Sequence, residues 1–136
     1  MHRGIIVRYV RILADVSFAI SNGGWTEPDE AIIDTGGPIS IIPRHVWEQI
    51  QHGFYSDREM EVLVGGRAAM ARFRQVTLRF HDAQENTRIS PPLTIKASLL
   101  SDDSHPIVLG FEDFLTDVEL HSNYPRQEVY LSFPPQ

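Results

Sequence analysis

The stretch Ala31-Ile32-Ile33-Asp34-Thr35-Gly36-Gly37-Pro38-Ile39-Ser40-Ile41-Ile42-Pro43 decides how the rest of the chain is read. Its apolar flanks favour extended structure, whereas two glycines and a proline between them stop a strand. Asp34 therefore stands where a strand breaks into a tight loop, and glycine at 36 lets the backbone turn beside the acid without a Cβ in the way. Pro43 suits a first helical position. Val46 and Ile50, four residues apart, then predict a brief two-turn helix over Arg44 to Gln51.

Working outward towards the N-terminus, Val10, Ile12, Ala14, Val16, Phe18 and Ile20 alternate with Arg11, Leu13, Asp15, Ser17 and Ala19, mostly the period-two pattern of a half-buried strand. Ser21-Asn22-Gly23-Gly24 closes a turn after it. On the other side, Glu61-Val62-Leu63-Val64 and Val76-Thr77-Leu78-Arg79-Phe80 enclose Gly65-Gly66, which predicts a long hairpin with a glycine-bearing tip. Leu93, Ile95, Ala97 and Leu99 alternate as a further strand, and Ser101 to His105 form a polar loop. Ile107-Val108-Leu109 then meets Gly110, and Phe111, Phe114 and Leu115 are spaced as in a short helix. Val129, Leu131 and Phe133 mark a last strand. Short strands dominate, so the fold class predicted is all-β, a barrel or sandwich with one or two short helices.

At 136 residues the chain fits one domain, residues 1–136, large enough to bury a core without metal or disulfide staples. It has no cysteine, which excludes a disulfide framework, a thiol nucleophile and cysteine-ligated zinc. Twelve Lys and Arg face 18 Asp and Glu, and the resulting charge of −6 repels a phosphate backbone, so no nucleic-acid partner is expected. Arg3, Arg8 and Arg11 interrupt the apolar N-terminal stretch, leaving no run of about 20 apolar residues to cross a membrane. No membrane partner and a cytoplasmic location are the corresponding expectations. His2, His45, His52, His81, His105 and His121 lack any compact ligand spacing, so neither metal nor other cofactor is assigned. No Gly-x-Ser-x-Gly elbow is present, which counts against a serine hydrolase. Asp102 and Asp103 read as solvated loop charge, and Trp25 and Trp47 as core or interface anchors.

Asp34-Thr35-Gly36 after two apolar residues, with Ser40 following, resembles the catalytic loop of the retropepsin-like aspartic peptidases. Ile107-Val108-Leu109-Gly110 before a short helix is similar to that family's second signature. The hairpin carrying Gly65-Gly66 lies between the two, where the family has its flap. An Asp-Thr-Gly tripeptide alone arises by chance in a chain this long on the order of a few times in a hundred. Its companions, in the right order and spanning nearly the whole chain, make the pattern specific. Two departures stand out. Gly37 replaces the more usual alanine, and the hairpin lacks the multiple glycines of viral members.

The resemblance implies an acid-protease barrel with a flap hairpin, and an endopeptidase in which Asp34, Thr35 and Gly36 are catalytic. Gly65 and Gly66 would cover the substrate, and Ser40, Val108, Leu109 and Gly110 would buttress the loop. Hydrolysis without a covalent intermediate needs one ionised carboxylate to accept a proton from water and one protonated carboxyl to polarise the peptide carbonyl. Two such groups held close share a single proton, as is general for aspartic peptidases. This chain carries one Asp-Thr-Gly, and its second signature has no aspartate, so a twofold homodimer would complete the pair. The resemblance also implies that Thr35 hydrogen-bonds across the dimer axis, that the chain termini share a sheet under the dimer, and that apolar residues are preferred beside the cleaved bond. The alternative is a protease-fold module that binds peptide or dimerises without hydrolysis. A weaker third reading is an unrelated β-sandwich adaptor.

Overall fold

The computed structural model describes residues 12–64, 66–85, 87–112, 114, 118–123, 125–126 and 128–133, with the backbone alone at 54–57, 64 and 128. Within them the alternating N-terminal segment forms β1 (Ile12–Phe18). The apolar flanks of the Asp34 loop form β2 (Asp29–Ile33) and β3 (Ser40–Ile42), followed by α1 (Arg44–Trp47). The central hairpin comprises β4 (His52–Val64) and β5 (Arg67–His81), and its tip is turned by Gly66 at φ +79°, a conformation that glycine adopts without strain. Gly65 lies outside the described residues. Next come β6 (Leu93–Leu100) and β7 (Ile107–Leu109), and a separate two-stranded unit pairs β8 (Glu119–Asn123) with β9 (Glu128–Ser132).

Seven of these strands make one sheet in the order β1-β2-β7-β3-β6-β5-β4. The 15-residue β5 makes the closure possible because it has three neighbours along its length: β4 towards the tip, β6 in the middle, and β1 at its end, where Leu78 to His81 face Phe18 to Asp15. The β1–β5 pairing turns most of the sheet back on itself, and among the described residues only β4 of this sheet has a free edge. The molecule is thus all-β with a largely closed sheet, as the short alternating runs predict.

Inward residues from every strand of the closed part meet in one core that includes Val16, Phe18, Ile33, Leu78, Ile95 and Leu109. Burying each such side chain contributes about 1.5–3 kcal/mol, so the core and the closure stabilise each other. Phe114 is fully buried and stacks on Phe80 with ring centroids 5.2 Å apart, which fastens the segment after Gly110 to the barrel. Phe133 packs on the same Phe80 ring at 5.8 Å and docks the β8–β9 unit.

Two elements differ from the sequence reading. The helix after Pro43 is four residues long rather than two turns. Beyond Trp47 the bonds tighten to three-residue spacing at Gln49 and Ile50, and the Gln51 N–H leaves the helix to donate to the Ala19 carbonyl. The last strand has a partner, β8, that the periodicity did not reveal: Glu119, Ser122 and Asn123 are exposed and polar, so the segment carries no apolar alternation. Val10 and Arg11 of the predicted first strand, and Asp113 and Leu115 of the predicted second helix, lie outside the described residues.

Candidate functional site

The Asp34 loop owes its position to one topological fact: β7 is inserted between the two strands that the loop connects. Strand β2 runs parallel to β7, with Ile32 opposite Val108, and β3 meets β7 antiparallel at Ile41 and Val108. The chain leaving Ile33 must therefore cross the C-terminal end of β7 before entering β3. Gly110 sits under that crossing. A Cβ at this position would lie 2.6 Å from the Ile39 nitrogen, the Ile39 oxygen and the Pro38 carbonyl carbon, all backbone atoms, so only glycine lets the two segments approach this closely.

Four hydrogen bonds sew the crossing to the β7 segment. The Asp34 N–H donates to the Leu109 carbonyl at 2.9 Å, Phe111 N–H to Gly37 at 2.9 Å and Glu112 N–H to Pro38 at 3.1 Å. The Gly110 N–H donates to the Ser40 hydroxyl oxygen at 3.1 Å in a buried environment, and Ser40 is 1% exposed. The bonds at Phe111 and Glu112 are where a helix start was expected, and they give that segment's N–H groups partners in the loop. Ser40 and Gly110 thus hold the loop directly, while Val108 and Leu109 supply strand pairing and, at Leu109, core contact.

On this frame the Asp34 carboxylate is exposed, with its Oδ1 accepting the Gly36 N–H at 3.0 Å. That bond fixes the direction of the acid without burying it. The crowding expected at Gly36 falls one residue later. A Cβ on Gly36 would stand 3.5 Å from Asp34 Oδ1, an ordinary contact, whereas one on Gly37 would stand 2.7 Å from Oδ2. Gly36 therefore acts through its N–H, and Gly37 leaves space for the carboxylate. Thr35 is exposed, and its hydroxyl makes no hydrogen bond among the described residues. No second acidic side chain shares a hydrogen bond with Asp34 among them either.

The structure brings together Asp34, Thr35, Gly36, Ser40, Val108, Leu109 and Gly110. No described contact joins Gly66 to that group, and Asp34 lines neither of the two described cavities. An apolar surface that the sequence did not disclose adjoins β3: half-buried Ile41, Val62 and Ala69 pack on buried Ala71 and Leu100, linking the strand after the loop to the hairpin. These residues come from β3, β4, β5 and β6, and their one-dimensional signal is indistinguishable from that of any strand.

Two other sequence features find structural work. Asp103 accepts the His45 N–H at 2.7 Å and pairs with its Nδ1 at 2.8 Å, and Asp102 accepts the Ser104 hydroxyl and N–H. The His45 bonds hold the exposed Asp103 carboxyl, and the Ser104 bonds the exposed Asp102 carboxyl, below their ordinary range. The support of Asp103 for α1 and the bracing of the 102–104 loop by Asp102 are therefore present at neutral pH and are lost as the carboxyls protonate in acid. Trp47 Nε1 donates to the Leu100 carbonyl at 2.6 Å, and Arg79 lies 4.3 Å over the Trp25 ring. Among the described residues no group of three His, Asp or Glu side chains is gathered as metal ligands, and no helix is long and apolar enough to cross a membrane.

Comparison of the sequence with protein-family models gives no match, and comparison with curated proteins gives none either.

Proposed function

We propose that the chain is one subunit of a twofold aspartic endopeptidase of retropepsin-like fold, in which two Asp34 carboxyls activate one water. The single observation that carries this reading is the open Asp34 carboxylate on a loop whose backbone is tied at both ends to the β7 segment. Such a frame meets the demand of acid-base chemistry that the group be fixed within a fraction of an ångström. The exposure of Asp34 and Thr35 fits an acid awaiting its mate across a subunit axis.

In the mechanism that follows, one Asp34 accepts a proton from water as the oxygen attacks the peptide carbonyl carbon. The other, protonated, gives its proton to the carbonyl oxygen. The tetrahedral intermediate collapses as the proton taken from water passes to the amine, which breaks the C–N bond. As the C–N bond breaks, a hydroxyl of the tetrahedral intermediate returns its proton to the second carboxylate, so the product acid forms and the pair regains its single shared proton. An extended peptide suits the free edge of β4 and the apolar surface around Ile41 and Val62, consistent with main-chain pairing and apolar side-chain pockets.

Peptide cleavage by the purified chain, followed across pH with and without a pepstatin-type inhibitor, tests the reading. A bell centred in mild acid is expected because one proton must be retained. Asp34→Asn should lower the rate by about 10³-fold or more while leaving the fold intact. Equal cleavage by wild type and Asp34→Asn would overturn the assignment. Saturable peptide binding with no cleavage by wild type would favour the non-catalytic module, to which the Gly37 departure also points.

A further inference from the structure

A cavity of about 280 Å³ lies away from the Asp34 loop, at the base of the central hairpin between α1, β4, β5 and the end of β6. We infer that this cavity is a binding site for a small organic anion, a carboxylate carried on an apolar body. The proposal is independent of whether Asp34 is catalytic.

The walls are fixed in advance. Trp47 is pinned by its indole bond to the Leu100 carbonyl, and the Arg44 N–H donates to Asp102 at 3.1 Å. The Ser101 N–H donates to the Met70 carbonyl at 3.0 Å, and Ala71 and Arg72 pair with Leu100 and Leu99 across the sheet. A ligand entering would find its site built rather than having to order it, which lowers the entropic cost of binding.

The lining divides by chemistry. Trp47, Met70 and Leu99 offer apolar surface, while Arg44, Arg72 and Arg74 bring three guanidiniums to one small space in a chain whose formal charge is −6. Arg44 is held by Glu48 at 2.6 Å and Arg74 donates to the Phe73 carbonyl at 3.0 Å, so these two are positioned already. Arg72 is different. It is exposed, it makes no hydrogen bond or ion pair among the described residues, and it is not paired with Glu59, its register partner across the hairpin and the one acid among the described lining residues. Burial first, and then the charge of Arg74, hold His52 below its ordinary imidazole value, so this lining residue stays neutral at pH 7 and adds no cation. A free guanidinium beside an indole and a thioether matches a carboxylate on a ring or short aliphatic body. The volume falls just under the roughly 300–1,000 Å³ of drug-sized sites, which limits the ligand to a small one.

The test uses the full chain and calorimetric or ¹⁵N-NMR titration with phenylacetate, its uncharged amide phenylacetamide, and inorganic phosphate. Expected is saturable binding of phenylacetate in the range of about 1 mM or tighter, with shifts centred on the Trp47 indole and on Met70 to Arg72. The amide and phosphate should each bind about tenfold more weakly or not at all, and Arg72→Gln should weaken phenylacetate by about tenfold. Arg72 is exposed, so this variant should fold as wild type does; Met70→Gln, which removes apolar lining from a partly exposed position, should weaken binding too. Failure of phenylacetate to saturate overturns the proposal, and so does an amide that binds equally well. Phosphate binding as tight as phenylacetate would reduce the cavity to a nonselective anion patch and overturn it as well.

Discussion

The Asp34 loop and the β4–β5 hairpin both reverse the chain, yet they are held by opposite means. Every bond that fixes the loop to β7 and its sequel reaches a residue some seventy positions away, and Gly110 is the contact on which the crossing closes. The outer hairpin is held chiefly by its own ladder, Glu59 to Val64 against Arg67 to Arg72, and presents Met60, Met70 and the 78%-exposed Leu63 to solvent. Long-range closure gives a chemical group a fixed position at the cost of tolerance to change. A local ladder tolerates change and belongs to the low-stability end of the molecule, where covering elements are found. Substitutions in the two regions should therefore separate stability from peptide handling.

The largest effect is expected at Gly110. In Gly110→Ala the new Cβ meets three backbone atoms at 2.6 Å, and neither segment can yield without breaking the bonds that join them. A loss of about 3 kcal/mol is expected, a downward shift in melting temperature of about 10 °C. A variant melting within about 2 °C of wild type would show that the crossing is looser than its geometry implies. Next comes Ser40→Ala, which leaves the buried Gly110 N–H without an acceptor and should cost about 1–3 kcal/mol in urea unfolding. Ser40→Thr keeps the hydroxyl oxygen and should recover most of that loss; equal destabilisation by both would assign the effect to packing.

The contrast also explains what could be seen in the sequence. The strands beside the Asp34 loop and the central hairpin were legible because each has a local signature: apolar runs broken by glycine and proline, or two extended runs about a glycine pair. That Asp34 would stand where a strand breaks into a tight loop was legible for the same reason; that its carboxylate is exposed was not. The insertion of β7 between β2 and β3 was not, since parallel pairing of Ile32 with Val108 leaves no mark in either segment alone. Nor was the role of Gly37, because the acid that fills its Cβ space is placed by a hydrogen bond to Gly36. Strand β8 escaped notice because Glu119, Ser122 and Asn123 face solvent, and its two half-buried residues, Leu120 and His121, are adjacent rather than alternating. Local chemistry announced the turns, whereas the contacts that hold the site arise only on folding.

Gly37→Ala probes the loop more gently. Its Cβ would press on Asp34 Oδ2 at 2.7 Å, and the carboxylate can turn about its own side-chain bonds where backbone could not. Stability should change by less than about 1 kcal/mol. The Asp34 carboxyl should nevertheless report a new environment, read as a displaced ¹³C carboxyl resonance across an acid titration. An unmoved resonance would mean that the acid already occupies another rotamer, and the link from Gly36 to Oδ1 would lose its claim to orient it.

The smallest change in stability is expected in the hairpin. Leu63 is 78% exposed near the tip, so Leu63→Ser removes almost no buried surface and should leave the unfolding free energy within about 0.5 kcal/mol of wild type. If the hairpin covers an extended peptide, the same substitution should raise KM for an apolar peptide several-fold while kcat holds, because contacts made equally in the ground and transition states act on binding alone. A fall in kcat with KM unchanged would instead place Leu63 in the ordering of the reacting groups, and the division of labour between a rigid loop and a tolerant cover would not hold. A drop in stability comparable to that of Ser40→Ala would break the comparison from the other side, since it would show that the outer hairpin packs on something its 78% exposure does not reveal.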